Sequence, residues 1–129
     1  MRYLTPADMI VAHELLIAEF GGMRGITEAG FGRLESAAAA PRVSMFGADV
    51  YADVEGKAAA LCFAIMRAHP FTDGNKRMAL VALDVFLADN GYELTADGDD
   101  VYATMMALAR GELEQAALAA WIAQHSSKV

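Results

Sequence analysis

Hydrophobic positions crowd two stretches of the chain, from about Tyr51 to Ala68 and from about Lys76 to Asp89. The first is nearly all apolar after Lys57. The second carries Met78, Leu80, Val81, Leu83, Val85, Phe86 and Leu87 around most of a helical circumference. Helices that are apolar on most faces belong to the interior, so these two are expected to form the centre of the fold. Upstream, Thr5-Pro6-Ala7-Asp8 supplies an N-cap hydroxyl, a proline for the first helical position and an acid three residues after the cap, with Leu4 and Met9 spaced as a staple. The helix it starts should run through Phe20 and stop at Gly21-Gly22. Thr27 can cap a second helix ending before Pro41, followed by a loop or short extended piece over 41–49. Asn90-Gly91 ends the second core helix. Asp97–Asp100 opens another that ends at Gly111, and Leu113–Gln124 around Trp121 forms the last. No long alternating run calls for a sheet, and Tyr92–Thr95 could be a short strand at most. The expectation is an all-α fold of about six helices in a single domain spanning residues 1–129.

Composition narrows the classes. With 129 residues, 56% hydrophobic and 21% charged, the chain can bury a core and is not a disordered tail. Mean hydropathy is +0.28. Lys plus Arg number 10 against 17 Asp plus Glu, a net charge of −7, which disfavours direct binding to nucleic acid or to an anionic membrane. Uncharged runs such as Ala58–Met66 fall well short of the ~20 apolar residues that span a bilayer. Asp8, His13 and Glu14 interrupt any secretory h-region, so a cytoplasmic location is expected. The lone cysteine, Cys62, lies in an apolar run and reads as a buried structural thiol.

Three partial motifs fail on spacing. Gly30-Phe31-Gly32 lacks the third glycine and the preceding strand of a dinucleotide fingerprint. His13-Glu14 begins like a zinc helix, but Ile17 stands where the second histidine belongs, so His13 reads as a polar residue on a packed helix. Asp97, Asp99 and Asp100 lack the glycine and distant glutamate of a calcium loop and read as helix-start acids.

The chemistry concentrates between the two core helices, in Arg67-Ala68-His69-Pro70-Phe71-Thr72-Asp73-Gly74-Asn75-Lys76-Arg77. Pro70 lacks a donor and disfavours the helical region for His69, so the first helix ends there and the imidazole projects from its carboxyl end. Phe71 is expected to anchor the loop in the interior. Asp73, Gly74 and Asn75 lead into the amino end of the next helix, where free N–H groups and the helix dipole make an anion cradle. Singly, each residue has a plain structural reading: His69 a cationic C-cap, Asp73 or Asn75 an N-cap. Lys76 and Arg77, however, sit where the dipole disfavours a cation by ~0.3–1 kcal/mol per group. An anion in the cradle removes that conflict. A phosphate there, a divalent ion on Asp73 and a proton acceptor at His69 compose a phosphoryl- or nucleotidyl-transfer site.

His69-Pro70-Phe71-Thr72-Asp73-Gly74-Asn75-Lys76-Arg77 resembles the signature of the Fic/Doc superfamily, and specifically its Doc (death-on-curing) toxin branch. The likeness extends to the Leu-Thr-Pro opening, the Gly-Gly…Gly-Ile link, Leu34-Glu35-Ser36, Phe86-Leu87…Asn90-Gly91 and Gly111-Glu112-Leu113. Fic enzymes that transfer AMP usually have glycine at the position of Lys76 and a second arginine at that of Leu80; Doc toxins share the lysine and resemble kinases that bind ATP with its γ-phosphate in the cradle. The resemblance therefore implies a protein kinase using ATP and Mg²⁺. In it His69 deprotonates a target hydroxyl, Asp73 holds the metal, Gly74 and Asn75 shape the cradle, Lys76 and Arg77 neutralise the transferred phosphate, and Arg67 is a weaker candidate at the rim. It further implies a threonine of elongation factor Tu as target, with translation arrested. No inhibitory Ser/Thr-x-x-x-Glu-Gly/Asn helix occurs in the chain, and the nearest match, ending at Glu55-Gly56, starts with Tyr51. Restraint by a separate chain is thus expected, and the resemblance to Doc proteins implies a Phd-type antitoxin in that role. AMP transfer at the same site and a catalytically silent helical binding module are the alternatives.

Overall fold

A computed structural model describes residues 1–129. The expected all-α architecture is present as six α-helices: α1 (Pro6–Phe20), α2 (Glu28–Ala39), α3 (Val54–Ala68), α4 (Asn75–Asp89), α5 (Gly98–Ala109) and α6 (Gln115–Gln124). The N-terminal cap forms as the sequence implies. Thr5 Oγ1 accepts from the Asp8 N–H at 3.1 Å while the Asp8 carboxylate accepts from the Thr5 N–H at 2.9 Å. Those bonds hold the Asp8 carboxyl below its ordinary value. Thr27 caps α2 through the Gly30 N–H and Asp97 caps α5 through the Asp100 N–H.

At the centre lies α3, packed against α4, α6 and α2. Its run Ala58-Ala59-Ala60 is fully enclosed, and such small side chains let neighbouring helices approach closely. From α4 come Met78, Ala79, Ala82, Leu83, Phe86 and Leu87, joined by Leu108 of α5 and by Leu118 and Ile122 of α6 in one apolar cluster. Cys62 is sealed within it, and burial pushes its thiol up to about 12.

Four short strands complete the fold, and of their pairings the hydrophobic pattern foretold none. After a 3₁₀ turn at Ala40–Arg42, β1 (Ser44–Met45) and β2 (Ala48–Asp49) form an antiparallel hairpin whose tip residue, Phe46, is fully exposed. The expected short strand is β3 (Tyr92–Leu94), and it pairs antiparallel with β4 (Ser126–Lys128). α3 begins at Val54 rather than near Tyr51 because Asp53 is extended. α6 begins at Gln115 rather than Leu113 because Glu114 is likewise extended.

Candidate active site

The connector between α3 and α4 is built by contacts from three directions. At its entrance the His69 N–H closes the last turn of α3 on Ile65 O at 3.1 Å, and His69 takes a left-handed conformation, φ +48° and ψ +59°. This differs from the extended conformation that the following proline favours. A non-glycine residue in this region is uncommon, and such strain gathers at functional sites. The result is an exposed imidazole at the end of a core helix, bounded by the buried Pro70.

Phe71 anchors the loop as expected. It is 4% exposed, bridges to Ile26 in the α1–α2 link, and stacks on His13 with ring centroids 3.9 Å apart. Thr72 N–H donates to Gly25 O at 3.1 Å, so the same link holds the next residue. Asn75 spends its side chain inward: Oδ1 accepts from the Phe71 N–H and Nδ2 donates to Phe71 O, both at 2.9 Å. The plain N-cap reading of Asp73 or Asn75 does not hold: α4 has no side-chain cap, and Gly74 occupies the cap position at φ +75°. A Cβ at Gly74 would lie 3.3 Å from both Leu16 and Ile17, so glycine serves both the conformation and the packing.

The first intrahelical bond of α4 is Met78 N–H to Gly74 O at 2.9 Å. The N–H groups of Asn75, Lys76 and Arg77 precede it and have no intrahelical acceptor. They open, together with His69, Thr72, Asp73 and the Lys76 and Arg77 side chains, onto a cleft of about 580 Å³. Leu16, Phe20, Gly21 and Gly22 of α1 and its link form the facing wall.

Asp73 is exposed, and each of its oxygens accepts one backbone bond at 2.9 Å, Oδ2 from Met23 N–H and Oδ1 from Gly74 N–H. These bonds, Met23's first, hold its carboxyl below the usual carboxylate value. The group is a fixed anion with remaining lone pairs turned to solvent. No cluster of three or more His, Cys, Asp or Glu side chains gathers in the molecule. A single carboxylate does not cage a metal, but it suits Mg²⁺, which keeps its waters and shares oxygens with a substrate phosphate.

The structure thus gathers His69, Asp73, Gly74, Asn75, Lys76 and Arg77 around one cleft, with Phe71 beneath it. The rim position expected of Arg67 is corrected. Its guanidinium rests over the Phe63 ring at 4.8 Å and beside Gly111, away from the residues that line the cleft, because position 67 falls on the α3 face turned toward the α5–α6 turn.

Sequence reasoning missed His13 as a part of the site. It is 2% exposed, and its Nε2 lies 2.7 Å from Asp73 O, sixty residues away in the chain. Since a carbonyl only accepts, Nε2 carries the proton. Read along the chain, His13 is one polar residue on a packed helix, and no local signal marks its partner. Gly22 was also missed: a Cβ there would come within 2.8 Å of Asp73 Oδ2.

The chain is similar to known proteins of one family. The Fic/DOC family model matches residues 3–87. Toxin Doc of Mycolicibacterium smegmatis is 38% identical over 98 residues, covering 76% of this chain and 72% of that protein. Protein kinase doc of Escherichia phage P1 is 27% identical over 124 residues, covering 92% and 91%. With the family model spanning two thirds of its length and a relative 38% identical, this chain, a helical core with a polar cleft between its two central helices, belongs to the Fic/Doc family. Within that family it resembles the Doc branch.

Proposed function

We propose that the chain is a Doc-type toxin of a type II toxin–antitoxin system. It acts as a protein kinase that moves the γ-phosphate of ATP to a threonine hydroxyl of a translation factor, elongation factor Tu. The observation that carries this reading is the cleft itself: an imidazole, a fixed carboxylate, unpaired helix N–H donors and the cations Lys76 and Arg77 all face it. Similarity to a Doc toxin and to a Doc protein kinase supports it.

The chemistry follows from the groups present. His69 takes the proton of the target hydroxyl as its oxygen bonds to the γ-phosphorus. The bond from that phosphorus to the β–γ bridging oxygen breaks, and ADP departs with the bridging oxygen. The N–H groups of Asn75, Lys76 and Arg77 donate to the equatorial oxygens over which the charge spreads, and the two side-chain cations offset it. Mg²⁺, when bound beside Asp73, would neutralise phosphate oxygens of the nucleotide. Leu80 lines a groove with Lys76, Arg77, Val101, Tyr102 and Met105, and being apolar it adds no further cation to the charge row along α4. That favours a single phosphoryl group in the cradle over an α-phosphate with a clamped triphosphate tail, and so phosphate transfer over AMP transfer. The proposed setting is the cytoplasm, with a Phd-type antitoxin as the restraining partner. No helix of the molecule is long and apolar enough to cross a membrane.

Incubation of the purified chain with Mg²⁺, cell extract and ATP labelled at γ or at α tests the reading. Label from γ alone should enter one protein band, and His69→Ala should reduce it by about 10²–10⁴-fold. Label from α would replace phosphate transfer by AMP transfer. No label from either would leave a binding module.

A further inference from the structure

Phe20 is the last residue of α1 and directly precedes the Gly21-Gly22 link. The helix buries Met9, His13, Leu16 and Ile17 against the core, yet Phe20 remains 58% exposed. An aromatic ring so far out of the core adds little to packing. It lines the cleft, and its ring lies under the Arg77 guanidinium, 4.5 Å from carbon to centroid.

The company Arg77 keeps is informative because of what it leaves free. The ion pairs of the molecule join Arg24 to Glu14, Lys57 to Asp49 and Arg110 to Glu112, and Arg77 takes part in none. A carboxylate partner would occupy two of its donors and cancel its charge, whereas an aromatic face attracts the cation and consumes no N–H. The guanidinium is thereby restrained at the cleft with its donors unspent. Ordering a long side chain on binding is a cost that prior restraint removes.

We propose that Phe20 is a positioning residue that seats the Arg77 guanidinium for the phosphoryl group in the cleft, and that the ring stays under the cation when the anion is bound. The inference rests on the phosphate-site reading above. It adds that the α1 terminus, more than fifty residues away in sequence, sets the strength of the anion clamp.

The test is a titration with inorganic phosphate, followed by ³¹P NMR at fixed ionic strength, on the wild type and on Phe20→Leu, Phe20→Tyr, Arg77→Gln and the Phe20→Leu/Arg77→Gln double variant. Leucine keeps apolar bulk and removes the π-face; tyrosine keeps the face. Phe20→Leu should weaken binding roughly two- to fivefold, the range expected for an exposed cation–π contact. Phe20→Tyr should restore it, and Phe20→Leu should change nothing once Arg77 is glutamine. The Arg77 Nε–Hε resonance should carry a ring-current shift in the wild type and in Phe20→Tyr that disappears in Phe20→Leu, a signature no purely structural role would produce.

An equal loss in both backgrounds overturns the inference, since the ring would then act elsewhere than through Arg77. Unchanged or tighter binding in Phe20→Leu also overturns it, because the guanidinium would then have to leave the ring to reach the anion; γ-label transfer by the wild type would show the kinase reading still standing. A wild type that neither binds phosphate nor transfers label overturns both.

Discussion

Asp73 shows how much of a functional side chain's character is decided by its neighbours. As a free aspartate it would accept from water on every side. Here Met23 N–H and Gly74 N–H each hold one oxygen, and its carboxyl is depressed below the usual carboxylate value. A group whose folded value is lowered contributes stability that is complete above the unfolded value and is lost as pH falls through the folded one. Titration of the Asp73 carboxyl carbon by NMR should accordingly give a midpoint below that of an unperturbed aspartate. Gly22→Ala should move that midpoint upward, since the new Cβ, 2.8 Å from Oδ2, displaces the carboxylate from the Met23 N–H. The same variant should weaken Mg²⁺-dependent label transfer and also lower thermal stability, because Gly22 lies at φ +113°. An unchanged midpoint in Gly22→Ala would show that Met23 is not the group that tunes Asp73. The candidate residues themselves were legible in the sequence because a base, an acid, a glycine and the misplaced cations fall within one short segment. Their supports, His13, Gly22 and Phe20, were not, because each acts across a gap in sequence that no local pattern spans.

At the scale of elements, helix caps and ends followed closely from residue type, while the strands did not. The hairpin strands β1 and β2 are two residues each, too short for alternation to register. β4 is Ser-Ser-Lys, a sequence with no strand character, and it pairs only because α6 delivers it beside β3. The hairpin is tied to α3 by Lys57, which is 1% exposed and donates through Nζ to Pro41 O and to Asp49 Oδ2, each at 3.1 Å. Burial alone would lower this ammonium, but the neighbouring Tyr3 side chain and the Asp49 carboxylate raise it above the usual lysine value overall. The contribution of a raised group is fully present below the unfolded value and is lost as pH rises through the folded one. Lys57→Met should cost about 1–3 kcal/mol, because Pro41 O loses its partner in the interior. Hydrogen exchange at the Val50 N–H, which bonds Val43 O at the hairpin base, should quicken in that variant. Exchange no faster than in the wild type would show that the hairpin holds without its buried cation.

For the molecule as a whole, the core is a single cluster in which α3 and α4 are the common partners of the other helices. Cys62 reports on its integrity. The thiol is wholly buried and raised to about 12, so at pH 8 it should react with a disulfide reagent only as fast as the whole fold opens. Phe86 is fully enclosed at the same centre, and Phe86→Ala should cost about 3–5 kcal/mol and speed Cys62 labelling by the matching factor. Rapid labelling of the wild type would reveal local access to the core that the packing does not suggest.

Residue order by itself determined the six helices, the two most deeply buried among them, and the segment that bears the chemistry. Those features rest on spacings of three or four residues and on the backbone preferences of Pro, Gly, Thr and Asp, which act over short stretches of chain. Only the tertiary structure decided that His13 holds Asp73 by its carbonyl, that Met23 holds it by its carboxylate, that Arg77 lies on Phe20, and that Arg67 faces away. The reason is geometric: α1 crosses α4 so that its C-terminal turn and the glycine link after it form the second wall of the cleft, and that crossing is set by packing between distant residues.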